Sequence, residues 1–222
     1  MLFRSVILAG QSVQSILNGF RDGEYSADRF DRGEERLRQV SVQRPEYVGG
    51  IGLAGLANLE RFVRDGGMLI ALDTASELPI QFFPLSLRNV VRSPGGEGGG
   101  FYSPGSLLRL TVDTTHPLAM GMPKEAICFS SGGEAFEISL AEGYNKGERE
   151  IRSVARFAEK NLLASGWVSG ERQVLGKHAL VEARHGRGRV VLFAFRPQFR
   201  GQPHGTFKLL LNAVYLGSAR PM

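Results

Sequence analysis

Phe62-Val63-Arg64-Asp65-Gly66-Gly67-Met68-Leu69-Ile70-Ala71-Leu72-Asp73 decides the fold of this chain. The stretch closes an amphipathic pattern in which Leu53, Leu56, Leu59, Phe62 and Val63 recur at helical spacing. Glu60 and Arg64 form an i,i+4 pair on the other face. Two glycines then stop the helix, because glycine adopts the left-handed conformation without a steric cost. Five apolar residues follow with no polar alternation, the pattern of a strand buried on both faces. Helix, glycine turn and apolar strand make half of a β-α-β unit, so an α/β fold is expected.

Outward from this unit the punctuation is regular. Ser5-Val6-Ile7-Leu8-Ala9 reads as a second buried strand, followed by the polar Gly10-Gln11-Ser12 and an Asn18-Gly19 turn. Asp73-Thr74-Ala75-Ser76-Glu77 caps a short helix running through Phe83. Strands are expected over 107–112, 127–129, 136–138 and 151–157. Two more, over 179–183 and 190–195, are joined by the hairpin His185-Gly186-Arg187-Gly188. A helix over 206–216 follows, with Gly217 placed to close it. Residues 21–46, charged and poor in large apolar side chains, and the glycine-rich 93–100 read as surface loops. All 222 residues are read as a single domain. A buried strand starting so near Met1 predicts an N-terminally truncated domain.

Composition removes several function classes. With 42% hydrophobic and 22% charged residues the chain is too apolar to be disordered. No uninterrupted apolar run is long enough for a membrane-spanning helix. One cysteine excludes an intramolecular disulfide and any multi-cysteine zinc or iron–sulfur site. The net charge of +5 raises nucleic acid as a partner. Yet the basic residues are scattered, the densest group being Arg184, His185, Arg187, Arg189, Arg196 and Arg200, and no recognition motif accompanies them. A solvated surface with no nucleic-acid partner is the expectation.

Chemistry-bearing motifs are incomplete. Gly10-Gln11-Ser12-Val13-Gln14 follows a strand as a nucleophile elbow does, but Gln14 replaces the second glycine. Cys128 lies in an apolar stretch and reads as core. The glycine-rich loop is not followed by Gly-Lys-Ser/Thr, so it is no phosphate loop. The histidines His116, His178, His185 and His204 show no metal spacing, and His178 with Glu182 makes two ligands without a third. What remains is the set of strand ends, outside which open α/β sheets bind ligands. Asp73, Ser76, Glu77, Arg196, Gln198 and His204 form the candidate ligand-binding set, with His204 at the anion-friendly start of the last helix.

Several stretches place these features in a family: QSVQSILNG at 11–19, EYVGGIG at 46–52, FVRDGGMLIA at 62–71, FYSPGS at 101–106, HPLAMGMP at 116–123, GRVVLFAFRPQFR at 188–200 and QPHGTF at 202–207. Over about 5–217 the chain resembles the C-terminal, class I glutamine-amidotransferase-like domain of bacterial zinc-carboxypeptidase-like (peptidase M14 family) proteins. The resemblance implies a flavodoxin-like three-layer α/β sandwich whose first strand and helix precede Met1. It also implies a peptidase domain upstream that holds the zinc, and an exported, periplasmic or extracellular, parent. The family's zinc ligands have no counterpart here, so no cofactor is expected in this chain. Glutamine amidotransferases carry a cysteine at the elbow after a central strand, whereas Leu72 is followed by Asp73-Thr74-Ala75-Ser76. The expected function is therefore a non-catalytic accessory domain partnering that peptidase domain. The alternative is a sugar- or peptide-binding module built on the strand-end crevice.

Overall fold

The computed structural model describes residues 4–19, 49–91, 100–139 and 150–218. The loops expected over 21–46 and 93–100 lie outside the described residues, apart from Gly100. In chain order the elements are β1 (Ser5–Leu8), α1 (Val13–Asn18), α2 (Gly52–Arg64), β2 (Met68–Leu72), α3 (Glu77–Phe82), β3 (Leu87–Asn89), β4 (Ser106–Val112), β5 (Glu125–Ser130), β6 (Phe136–Ile138), β7 (Ile151–Phe157), β8 (Leu163–Ser165), β9 (His178–His185), β10 (Gly188–Phe193) and α4 (His204–Ser218).

Strand β2 is the axis of the sheet. All five of its residues are buried, as its unbroken apolar sequence requires. Parallel neighbours flank it, β1 with Ser5 opposite Met68 and β10 with Arg189 opposite Met68. Beyond β10 the sheet turns antiparallel, and its main path runs β1-β2-β10-β9-β7-β4-β5. The strongest alternation lies in β4, where every second side chain is buried. The architecture is α/β and flavodoxin-like, with the parallel strands at one side and a β-rich C-terminal hairpin, β9–β10, joined to them.

Helix α2 lies against β2 and β10, and Gly188 sets how closely. A Cβ on Gly188 would collide with the carbonyl oxygens of Val63 and Gly67. That bare backbone lets the β9–β10 hairpin tuck under the end of α2, where Arg187 N donates to Arg64 O at 3.0 Å and Arg189 N to Gly67 O at 3.1 Å.

Most of the expected elements are present, but β1, expected as a buried strand, lies at the edge of the sheet with none of its residues fully buried and Ile7 48% exposed, and other corrections fall at element ends. Gly217 does not close α4, which continues to Ser218. It sits within the helix because a side chain there would strike Ser5 of β1 and press on Met68. Close packing of α4 on the sheet, not helix termination, selects this glycine. Strand β10 ends at Phe193 rather than 195. Beyond it Ala194 and Phe195 stay buried and lead toward the crevice at the end of β2. Strands β3 and β8, three residues each, carry no periodicity long enough to read.

Gly188→Ala is expected to lower stability by about 1–3 kcal/mol, the usual cost of forcing atoms into a packed site. Gly205→Ala, on the first turn of α4, where a Cβ meets only Ile127 O at an ordinary 3.9 Å, is expected to be neutral or stabilising by about 1 kcal/mol or less. Thermal melts of the two variants check the contrast.

Candidate functional site

Asp73 ends β2 in an unusual way. Its φ is 55°, in the left-handed region that non-glycine residues occupy at a cost of about 1–3 kcal/mol. A 3-10 turn, Asp73–Ser76, leads from it directly into α3. Strand, strained residue and helix are the parts of a nucleophile elbow. Here the residue presented is a carboxylate, and it is only 1% exposed. Ser76 pins the turn from below, its hydroxyl donating to Ala71 O at 3.2 Å and Phe193 O at 3.1 Å.

Three side chains converge on that carboxylate or its neighbourhood. Arg196, just past the end of β10, forms an ion pair with Asp73 through Nε and Oδ2. Glu134, buried in the loop between β5 and β6, hydrogen-bonds to Asp73 carboxyl to carboxyl. A carbon in the Cβ position of Gly132 would lie 2.6 Å from both Asp73 Oδ1 and Glu134 Oε2, so only glycine admits the pair. Glu77, at the start of α3, adds a further negative charge close by. Burial first, then the charge and hydrogen bond of Asp73, then Glu77, push the Glu134 carboxyl up to about 9. Glu134 is therefore protonated at neutral pH and donates to Asp73. No N–H or hydroxyl among the described residues reaches Asp73 Oδ1 or Glu134 Oε2, so the shared proton is what satisfies them.

Asn89 of β3 braces this arrangement. Its Nδ2 donates to Glu77 Oε1 at 2.7 Å and to Gly133 O at 3.4 Å. Its Oδ1 accepts from Val91 N and Ala135 N, each at 3.1 Å. One side chain thus ties α3 to the loop carrying Glu134. The end of β1 closes the other flank, where a Cβ on Gly10 would lie 3.2 Å from the Asp73 side chain.

Of the six residues expected to form a site, the structure brings Asp73, Glu77 and Arg196 together. Ser76 is buried behind the turn and holds its shape. Gln198 and His204 remain exposed on the outer turn. Among the described residues, neither bonds to Asp73, Glu77 or Arg196. Gln198 O accepts from Gly201 N at 3.0 Å, and the His204 ring meets Phe207 edge-on at 5.1 Å. Glu134 and Asn89 lie outside the expected set. A signal exists for Glu134, the paired Gly132-Gly133 just before a lone acid between two short strands, whereas none exists for Asn89.

The remaining motifs resolve into structural roles. Ser12 caps α1, its hydroxyl accepting from Ser15 N at 3.1 Å. Cys128 is fully buried in β5, and burial pushes its thiol far above the ordinary range. His178 bonds to the Ser153 hydroxyl at 2.7 Å, and burial, then Arg156 and Lys177, push it down to about 4. Glu182 instead pairs with Arg189 at 3.1 Å and lies 3.3 Å from His116 Nε2. No group of three or more metal-ligating side chains occurs among the described residues. In the Arg-rich segment, Arg187, Arg189 and Arg196 each face a carboxylate, on Asp65, Glu182 and Asp73. No helix among the described residues is long and apolar enough to cross a membrane. An open groove of about 770 Å³ lies apart from the crevice, lined by Arg109, Glu125, Ile127, Lys160 and Asn161 among others.

No family model matches the chain, and no curated protein does. Solved structures do share its outline. A β-galactosidase from Bacillus circulans sp. alkalophilus aligns over 76% of this chain at 12% identity and a TM-score of 0.42, and the chain spans 21% of that protein's length. A putative GMP synthase subunit from Thermoplasma acidophilum aligns over 97% of this chain and 73% of its own, at 11% identity and a TM-score of 0.48. A putative ThuA-like protein from Parabacteroides merdae aligns over 77% and 68%, at 15% identity and a TM-score of 0.47. Likenesses this remote carry no argument about activity.

The raised Glu134 pKa fixes a pH dependence. The unfolded chain loses this proton near the ordinary value of 4.5 and the folded chain near 9, so the folded state holds more protons between the two. Stability from this group is present below the lower value and is lost as pH rises toward the upper one. Glu134→Gln keeps a donor for Asp73 and has no proton to lose. Its melting temperature is expected to exceed that of the parent chain by about 2–4 °C at mildly alkaline pH, with the two curves converging in acid. Melting curves of both proteins across that range check the prediction.

Proposed function

We propose that this chain is a non-catalytic domain accessory to a separate catalytic unit, holding a small polar ligand at its strand-end crevice. The occupant of the elbow carries this reading. Asp73 is buried, ion-paired with Arg196 and bonded to protonated Glu134, so no lone pair is left exposed for attack. Cys128, the only cysteine, is sealed in β5 with its thiol held protonated by burial, so it supplies no thiolate. Among the described residues, neither the elbow residue nor the cysteine offers amidotransferase chemistry a nucleophile.

The sequence stretches quoted above support a bacterial zinc-carboxypeptidase-like protein as the catalytic unit. In this reading the zinc and the proteolysis belong to the peptidase domain, the parent is exported, and the crevice takes a sugar or a peptide. The strained turn, the balanced buried charges and the Asn89 brace fit a preorganised recognition site, because binding groups work best when their own geometry is locked.

The purified chain, assayed for ammonia release from glutamine and for cleavage of C-terminal residues from peptides, each with and without added zinc, is expected to show no turnover. Turnover in either assay would overturn the non-catalytic reading. A melting-temperature screen against simple sugars and dipeptides is expected to yield at least one compound that stabilises the parent chain and not Asp73→Asn.

A further inference from the structure

We infer that the turn 196–202 is an oxyanion-recognition element, in which Arg196 and Arg200 grip a carboxylate or phosphate group of the ligand. This rests on the crevice being a ligand site and names the chemistry it selects.

Three non-glycine residues in the described chain have positive φ, namely Asp73, Asn161 and Arg200. Two of them flank this one crevice, with Arg196 between. Arg200, at φ 49°, has no side chain suited to that conformation, unlike Asp or Asn. The strain places its guanidinium over the Phe199 ring, 5.1 Å from the centroid. Arg196 lies over the same ring at 5.5 Å. Phe199 is held by stacking on Phe129, the rings 4.4 Å apart and 3° from parallel.

Two like charges are thus held over one phenyl ring. Arg196 spends Nε on Asp73, and its two terminal nitrogens have no partner among the described residues, with 36% of the side chain exposed. Asp73 fixes that fork from behind, which makes it a positioning residue for Arg196. Arg200 has no acidic partner among the described residues. The proton on Glu134 matters here, because a second buried negative charge would otherwise draw Arg196 inward. Glu77 is occupied with Asn89. His204 opens α4 two residues beyond the turn, and the start of a 15-residue helix adds a favourable field for an anion. Paired guanidinium forks match the planar or tetrahedral oxygens of carboxylate and phosphate.

The test is calorimetric titration of the full chain at low ionic strength with inorganic phosphate, with acetate and with glucose as a neutral control. Saturable binding of phosphate or acetate, and not of glucose, is expected, with the tighter of the two naming the group. Arg200→Gly keeps the positive φ that the turn needs while removing the guanidinium, so it is expected to fold and to bind about tenfold more weakly. Arg196→Lys retains a charge for Asp73 without the fork and is expected to show a similar loss. No saturable binding of either ion, or binding that Arg200→Gly leaves intact, would overturn the assignment. A neutral sugar bound equally by the parent chain and Arg200→Gly would likewise overturn it while leaving the crevice reading in place. Glutamine turnover would sink the non-catalytic reading without altering the anion measurement.

Discussion

A carboxylate buried at the end of the central strand is the constraint on which the site depends. Removing a charge from water costs several kcal/mol unless it is paired. Asp73 is neutralised by Arg196 on one side and accepts a hydrogen bond from protonated Glu134 on the other. Each partner imposes a condition on the fold. Arg196 must follow β10 immediately, which the β9–β10 hairpin arranges by running parallel to β2 at its last strand. Glu134 must arrive over a glycine, because any side chain at Gly132 would occupy the space where the two carboxyl oxygens meet.

The same pairing explains why the residue at this elbow is not a free nucleophile. The elbow geometry is intact, with positive φ at Asp73 and a helix following. What changes is the chemistry of the residue and its exposure. Strain at such a point normally holds a reactive atom out toward substrate. In this chain it turns a carboxylate inward, where it orients Arg196 toward the surface.

Much of this fold is legible in the sequence because its centre is built from strong, local patterns. The helix over Leu53–Val63, its glycine stop and the apolar Met68–Leu72 strand combine periodicity and punctuation in one stretch, and the structure follows their bounds closely, although Leu53 at the helix start is 75% exposed. The end of α4 is not legible, because Gly217 serves packing against Ser5, and a glycine near the end of a helical pattern looks the same whether it terminates or packs. The site is half legible. Asp73, Glu77 and Arg196 follow from the rule that strand ends converge. Glu134 and Asn89 do not, since their closeness to Asp73 comes from a loop and a three-residue strand with no periodicity. Gln198 and His204 share the neighbourhood by sequence alone. The turn 196–202 aims its arginines at Phe199, leaving those two side chains outside.

The proton shared by Asp73 and Glu134 is the centre of the account, and a carbon-detected NMR titration of the glutamate side-chain carboxyls measures it directly. With Glu134 assigned through its Glu134→Gln variant, the account predicts that this carboxyl stays protonated through neutral pH and titrates near 9. Titration of Glu134 in the ordinary glutamate range, about 4.3, would contradict it.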